Sequence, residues 1–301
     1  MKIAITGGTG LIGQSVTKEL IANNHRVFIL TRNKEKKKSK DSITYVKWLK
    51  DGTYPEKELE GIDGFINLAG ENLNSGRWTS AKKRAILHSR IRATREVVRI
   101  IGQLKKKPHV LVNGSAVGFY GTSFTKTFTE KETEPGNDFL ADVVTKWEKE
   151  ALRASSTVRV VCARFGLVLS LEGGALKKML PPFHLGVGGK LGTGEQWMSW
   201  IHITDVARAL VYSLTNHAIQ GPVNVTAPHP EMMKHFGQHL ASRLNRPFWI
   251  PVPSSLLKLA LGDMSILILE GQKALPMTLE HHDFRFRFPQ LQSALTDLIK
   301  K

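Results

Sequence analysis

Hydrophobic and polar positions follow two rhythms over the first 165 residues. Short apolar runs at KIAIT (2–6), RVFILT (26–31), ITYVKW (43–48), GFINLA (64–69), HVLVNGS (109–115) and VRVVCARF (158–165) read as strands. The stretches 11–23, 79–105 and 137–154 between them carry the 3.6-residue period of helices. Strands apolar on both faces that alternate with helices imply right-handed crossovers and a parallel sheet covered on both sides. After Phe165 the chain turns Gly- and Pro-rich, with GVGGKLGTG at 186–194. A helix at 203–216, a mixed tail and an amphipathic final helix near 290–299 follow. The pattern therefore predicts an α/β protein. A doubly wound parallel sheet fills 1–220, and 221–301 forms a small mixed C-terminal lobe to which 166–200 contributes.

Composition changes this picture little. At 301 residues the chain is near the upper limit for one hydrophobic core, and its 41% hydrophobic and 23% charged content is that of a globular protein. A single cysteine, Cys162, leaves no intramolecular disulfide and fits a reducing compartment. No leader-like pattern precedes the first strand, and no apolar run approaches the ~18 residues of a membrane span. These features read as a cytoplasmic protein without a membrane partner. The net charge of +17 fits nucleic acid, an acidic membrane or an anionic small molecule. Much of it sits in RNKEKKKSK (32–40) and KKK (105–107), both expected in loops and neither interleaved with aromatics. A solvated surface explains these runs better than a nucleic-acid groove.

Candidate chemistry begins at the amino terminus. TGGTGLIG runs from a buried strand directly into a helix, the context in which a glycine fingerprint marks a Rossmann-type dinucleotide site. Gly7 permits the tight turn, Gly10 lets backbone approach a pyrophosphate, and Gly13 lets the helix pack on the strand. Thr9, Leu11 and Ile12 complete the turn, and the helix N-terminus offers N–H groups and partial positive charge to phosphates. At the end of the second strand an acidic residue would select a plain ribose. Thr31 and Arg32 stand there instead, with Lys34 close behind, which favours the 2′-phosphate of NADP(H). In the helix at 79–105, Ile86, Ala93, Val97, Ile100 and Leu104 trace one apolar stripe that contains Arg90, while Arg92, Arg95 and Arg99 take the opposite face. A guanidinium on such a stripe requires an anion, either a carboxylate or the cofactor.

Several motifs in order then carry a resemblance. TGGTGLIG, NLAGENL (67–73), GRWTSAKKRAILHSR (76–90), SAVGFYG (115–121), DFLADVVTKWEKEA (138–151), WIHITDVA (200–207), LEGQKALP (269–276) and FRFPQLQSAL (286–295) span essentially the whole chain. Together they resemble an atypical branch of the extended short-chain dehydrogenase/reductases, the NAD(P)-dependent epimerase-family proteins often labelled sugar-nucleotide epimerases. The resemblance implies NADP held by Thr31 and Arg32, backbone of Leu68, Ala69 and Gly70 beside the cofactor, and Arg90 and Val168 lining it further along. It also raises a homodimer through the two long helices. Where the branch has Trp-Asp this chain has Trp48-Leu49, and Ser199 replaces a proline before WIH.

Ordinary extended members carry a catalytic Tyr and Lys four residues apart on the helix that here reads DFLADVVTKWEKEA. Aligned on Glu148, the tyrosine position falls at Phe139 or Leu140 and the lysine position at Val143 or Val144, none of which carries a proton. Asp142 and Lys146 have the right spacing but the wrong face, and read as a solvent-side ion pair. Three other groups could serve. Ser115 ends the fifth strand, Tyr120 lies in the loop beyond it, and Glu71 follows the fourth strand. Each has a plainer role: Ser115 bonding backbone, Tyr120 packing its loop, Glu71 pairing with Arg77 or Arg90. His202 reads as a loop-ordering or substrate-contacting residue. HFGQH (235–239) lacks the glutamate of a zinc hydrolase, so no metal is expected. The leading expectation is an NADP(H)-dependent oxidoreductase or epimerase acting on a small polar or anionic, nucleotide-sugar-like substrate, which Arg77, Arg164 and Lys190 would suit. The alternative is a catalytically silent NADPH-binding sensor or interaction protein.

Overall fold

A computed structural model describes residues 1–40 and 42–300. Seven strands form the central sheet: β1 (Lys2–Thr6), β2 (Arg26–Thr31), β3 (Ile43–Lys47), β4 (Gly64–Asn67), β5 (Val110–Ala116), β6 (Arg159–Phe165) and β7 (Gly221–Val225). Their spatial order is β7-β6-β5-β4-β1-β2-β3 and every pairing is parallel. The chain winds outward from β1 to β3, then resumes on the other side of β1. That reversal leaves a crevice at the carboxyl ends of β1 and β4, where open α/β sheets bind ligands.

The helices that matter here are α1 (Leu11–Ala22), α2 (Ser80–Gln103), α3 (Phe139–Leu152), α4 (Gly174–His184), α5 (Ile203–Thr215), α6 (Met233–Leu244), α7 (Ser254–Leu261) and α8 (Leu291–Leu298). Because strand side chains alternate faces, Ile3 and Ile5 of β1 join Val16 and Leu20 of α1 and Leu210 of α5 on one side. Ala4 joins Val97 and Ile100 of α2 and Ala151 of α3 on the other. The Ile86–Leu104 stripe is buried along its length, as its period requires. A third core gathers Phe183, Trp200, Phe236, Leu240, Leu291 and Leu295 from α4, α6, α8 and the short strand Trp200–His202.

Differences from the predicted elements have physical causes. β7, GPVNV, contains Gly221 and Pro222 and escapes a hydrophobic-run criterion; as an edge strand it tolerates a proline that donates no ladder bond. β4 stops at Asn67, where Leu68 N divides between Thr6 O (3.2 Å) and Thr6 Oγ1 (3.1 Å) and Ala69 N goes to Thr6 Oγ1 (3.2 Å). α3 starts at Phe139 because the Asp138 carboxylate accepts from Leu140 N and Ala141 N (2.7 and 3.0 Å), a side-chain N-cap. Asp142 and Lys146 form the expected exposed pair at 2.8 Å. Leu49 adopts φ 55, a left-handed conformation that Asp or Asn adopts more readily than Leu, so an aspartate suits this position in the branch it resembles.

Candidate functional site

The turn from β1 into α1 is shaped by what cannot fit there. Gly7 has φ 67, and a Cβ on it would lie 2.6 Å from Leu68 O. A Cβ on Gly13 would lie 2.2 Å from Gly7 O. Any side chain at either position would push the turn away from β4 or α1 from the turn. Gly10 is the N-cap of α1, with no side-chain cap and no acidic residue in the first turn. The first N–H groups of α1 therefore lack both an intrahelical acceptor and a competing carboxylate, which is the donor set an anion needs. Thr9 and Gly10 are exposed at this rim, and Leu11 and Ile12 are half-buried.

At the end of β2, Thr31 Oγ1 accepts from Asn33 N at 3.3 Å, and Arg32 is exposed. Lys34 is held by Glu58 at 2.8 Å, whereas Arg32 forms no hydrogen bond or ion pair among the described residues. Arg90 reaches beneath the loop after β4, where its Nη1 donates to Glu71 O (3.1 Å) and Ile86 O (3.0 Å). Its guanidinium lies 5.1 Å from the Trp147 ring centroid, and a Cβ on Gly70 would come within 3.3 Å of it. No carboxylate pairs with Arg90 among the described residues, so the structural ion pair allowed by sequence spacing is not formed. Burial lowers its pKa to about 10, partly opposed by Glu71. Val168 lies in the strand Leu167–Leu169, opposite Ile201. Its carbonyl and the Leu11 side chain flank Gly174, which brings Val168 beside the glycine turn.

Of the three proton-carrying candidates, Tyr120 packs its loop as its plainer role expects, against Val117 and Phe119, while Ser115 and Glu71 find side-chain partners not foreseen. Ser115 is 1% exposed, and its hydroxyl donates to Glu148 Oε1 at 2.5 Å. Glu148 in turn receives Arg164 Nε and Nη2, each at 2.8 Å, in a buried two-point ion pair. Arg164 is thus committed within the core and is not a free cation for an anionic substrate. Tyr120 is 4% exposed, stacks on Phe128 with centroids 5.1 Å apart, and donates to Asn224 Oδ1 at 2.8 Å. Burial raises its pKa, which keeps the phenol protonated. Neither Ser115 nor Tyr120 presents its hydroxyl to the mouth, because the core supplies each a partner that solvent would otherwise provide. Glu71 does lie at the mouth, where it pairs with Lys82 at 2.6 Å rather than with Arg77 or Arg90. The hydrogen bond from Lys82 holds its carboxyl below the usual range. Sequence reading missed Lys82 and Glu148 as partners; the WE pair at 147–148 was the one available signal. Arg77 donates to Leu259 O and Ala260 O (2.6 and 2.9 Å), and Lys190 is exposed. Among the described residues no three His, Cys, Asp or Glu side chains converge as a metal would require.

His202 is an ordering residue. Its Nδ1 accepts from Thr204 N at 3.1 Å, capping α5, and its ring lies 4.0 Å from that of Phe288. Nε2 is 3.4 Å from Asp297 Oδ2 without a well-formed hydrogen bond. Burial lowers the pKa below its ordinary 6.5, against the pull of Asp297 and Asp205. The unfolded chain then takes up the proton first, so the stabilising difference is full above 6.5 and is lost as pH falls through that value. Urea midpoints should drop between about pH 7.5 and pH 5.5. His202→Asn keeps a capping acceptor and should flatten that dependence; an unchanged slope would mean the imidazole does not titrate there.

A groove of about 890 Å³ lies between the loop after β3 and the outer face of α2, lined among others by Tyr54, His88 and Arg92. It shares no residue with the turn, the end of β2 or the loop after β4. The crevice, with its uncapped α1 and unpaired Arg32, defines a dinucleotide-binding protein of the Rossmann kind.

Comparison with known proteins agrees. The chain belongs to the NAD dependent epimerase/dehydratase family, whose model matches residues 3–226, and residues 252–298 match a domain of unknown function, DUF1731. It is 49% identical to the epimerase family protein YfhF of Bacillus subtilis, over 99% of this chain and 98% of that protein. Human epimerase family protein SDR39U1 (isoform 2), solved with NADPH, is 32% identical at a TM-score of 0.88 and covers 99% of both chains. The nucleoside-diphosphate sugar epimerase of Corynebacterium glutamicum is 28% identical at a TM-score of 0.79; the match covers 99% of this chain and 58% of that one. No helix among the described residues is long and apolar enough to cross a membrane.

Proposed function

We propose that this chain is an NADP(H)-dependent oxidoreductase or epimerase of atypical mechanism, acting on a small molecule bound at the carboxyl ends of the strands. The observation that carries the cofactor assignment is Arg32, exposed and without a partner among the described residues, just past β2 where NAD-selective sites have an acid. Thr31 and Arg32 would hold the 2′-phosphate, the N–H groups of α1 the pyrophosphate, and Arg90 an anionic or carbonyl oxygen further along. The NADPH bound to human SDR39U1 supports the same choice. When bound, the nicotinamide supplies or accepts a hydride. The protein's own residues would orient that ring and exclude water with apolar walls at Phe139 or Leu140 and at Val143 or Val144, where relatives with ordinary chemistry have Tyr and Lys. For proton movement the mouth offers the Glu71–Lys82 pair, a carboxylate accepting a hydrogen bond from an ammonium at 2.6 Å.

The committed hydroxyls of Ser115 and Tyr120 favour a second reading, an NADPH-binding sensor without turnover. Incubating the protein with NADPH and a panel of aldehydes, ketones and nucleotide sugars separates the two. Sustained loss of NADPH absorbance with one substrate, slowed at least about tenfold in Glu71→Gln, is the expected result. Tight NADPH binding with no turnover across the panel would leave the sensor reading.

A further inference from the structure

A cavity of about 240 Å³ opens where α3 begins, between the loop after β4 and the turn that follows α7. Trp78, Phe139, Leu140 and Ile266 wall it, and Lys83 and Asp263 stand at its edge. Trp78 meets Phe139 edge-on at 5.4 Å. The indole N–H is already given to Leu73 O at 2.9 Å, so the ring offers the cavity an apolar surface. Phe139 and Leu140 are the two positions at which the absent tyrosine would fall, and both line the cavity. The Leu140 Cβ lies 3.4 Å from where a Cβ on Gly118 would be, in the turn directly after β5. The cavity therefore adjoins the place where a catalytic hydroxyl would stand in ordinary relatives.

Its cover is unusually free of core. No residue of α7 is buried, nor any in the short helix Ile266–Leu269, and Leu259 is 77% exposed. Two basic side chains tie this segment down: Arg77 to the carbonyls of Leu259 and Ala260, and Lys83 to Asp263 at 2.7 Å. Gln196 Nε2 adds a bond to Ile268 O at 2.7 Å, and Met264 and Ile266 pack on the cluster of Trp78, Ile86 and Val143.

We propose that this cavity is the substrate subsite and that it takes the body of an aryl or branched-alkyl carbonyl compound. The ring lies against Trp78 and Phe139, and the carbonyl oxygen accepts a hydrogen bond from Lys83 Nζ. Lys83 spends one of its three N–H donors on Asp263 and has others to offer. Drug-sized ligands occupy roughly 300–1,000 Å³, so a cavity of this size suits a single ring. The proposal rests on the oxidoreductase reading above and narrows its small polar substrate to one polar oxygen on an apolar body.

Saturation-transfer NMR on the full chain with acetophenone, dihydroxyacetone and UDP-glucose tests it directly, without turnover. Acetophenone should bind in preference to the other two. Ile266→Trp fills the cavity and should weaken it by about tenfold or more, roughly 1.4 kcal/mol, with NADPH affinity unchanged. Ile266→Phe is the milder filling variant should the first misfold, and Lys83→Met should weaken acetophenone but not toluene. Preference for dihydroxyacetone or UDP-glucose, or acetophenone binding indifferent to both filling variants, would overturn the subsite. Acetophenone binding as expected with no NADPH bound would sink the cofactor reading alone.

Discussion

Arg32→Ala should weaken NADPH binding by about tenfold to a hundredfold and leave NADH binding unchanged. A hydrogen bond to a charged group contributes roughly 1.5–3 kcal/mol, and each 1.4 kcal/mol is tenfold in affinity. The side chain is exposed and has no partner among the described residues, so the fold should be indifferent to its removal. Lys34 already pairs with Glu58 at 2.8 Å, which makes it the weaker substitute. The preference should also shrink as salt rises, because an exposed charge pair is screened over about 10 Å at 0.1 M. Fluorescence titration with both dinucleotides checks this. Equal losses for NADPH and NADH would mean that Arg32 contacts something other than the 2′-phosphate.

Glu148→Leu should cost about 3–5 kcal/mol of stability, the largest effect expected of any single side chain here. It would leave the Arg164 guanidinium charged in the core, 3% exposed, and would strip Ser115 of its acceptor. Arg164 is packed 3.5 Å from the Phe119 ring centroid, and its third nitrogen already finds no oxygen partner among the described residues. The penalty is therefore the uncompensated charge rather than lost packing. The double variant Glu148→Leu/Arg164→Met should recover most of it, since removing both charges removes the desolvation problem as well. Urea unfolding of the four proteins completes the cycle. A single variant within 1 kcal/mol of the parent, in order-of-magnitude terms, would mean water reaches the pair.

Much of the candidate site rests on local rules. The glycines of TGGTGLIG answer to sterics within a few residues of chain, and the choice at the end of β2 depends on one side chain at a fixed register. The stripe from Ile86 to Leu104 announced both a buried helix face and an unaccounted guanidinium at Arg90. Side-chain direction across the fold lay beyond such rules. Ser115 and Tyr120 sit on the right elements for catalysis, but their hydroxyls point to Glu148 and Asn224, 33 and 104 residues away in sequence. Glu71 chose Lys82 over the two arginines proposed for it, a matter of loop geometry that no spacing encodes.

Strand and helix periodicity, the glycine turn and the basic end of β2 came from the sequence itself, because each is fixed by backbone sterics or by the repeat of one element. The tertiary structure alone decided which polar side chains the core would satisfy internally, and which face the crevice. It also set an apolar cover over a cavity that begins at Leu140. Those outcomes turn on desolvation: a hydroxyl or guanidinium buried among distant residues must find its partner there, and chain order does not say where that partner lies.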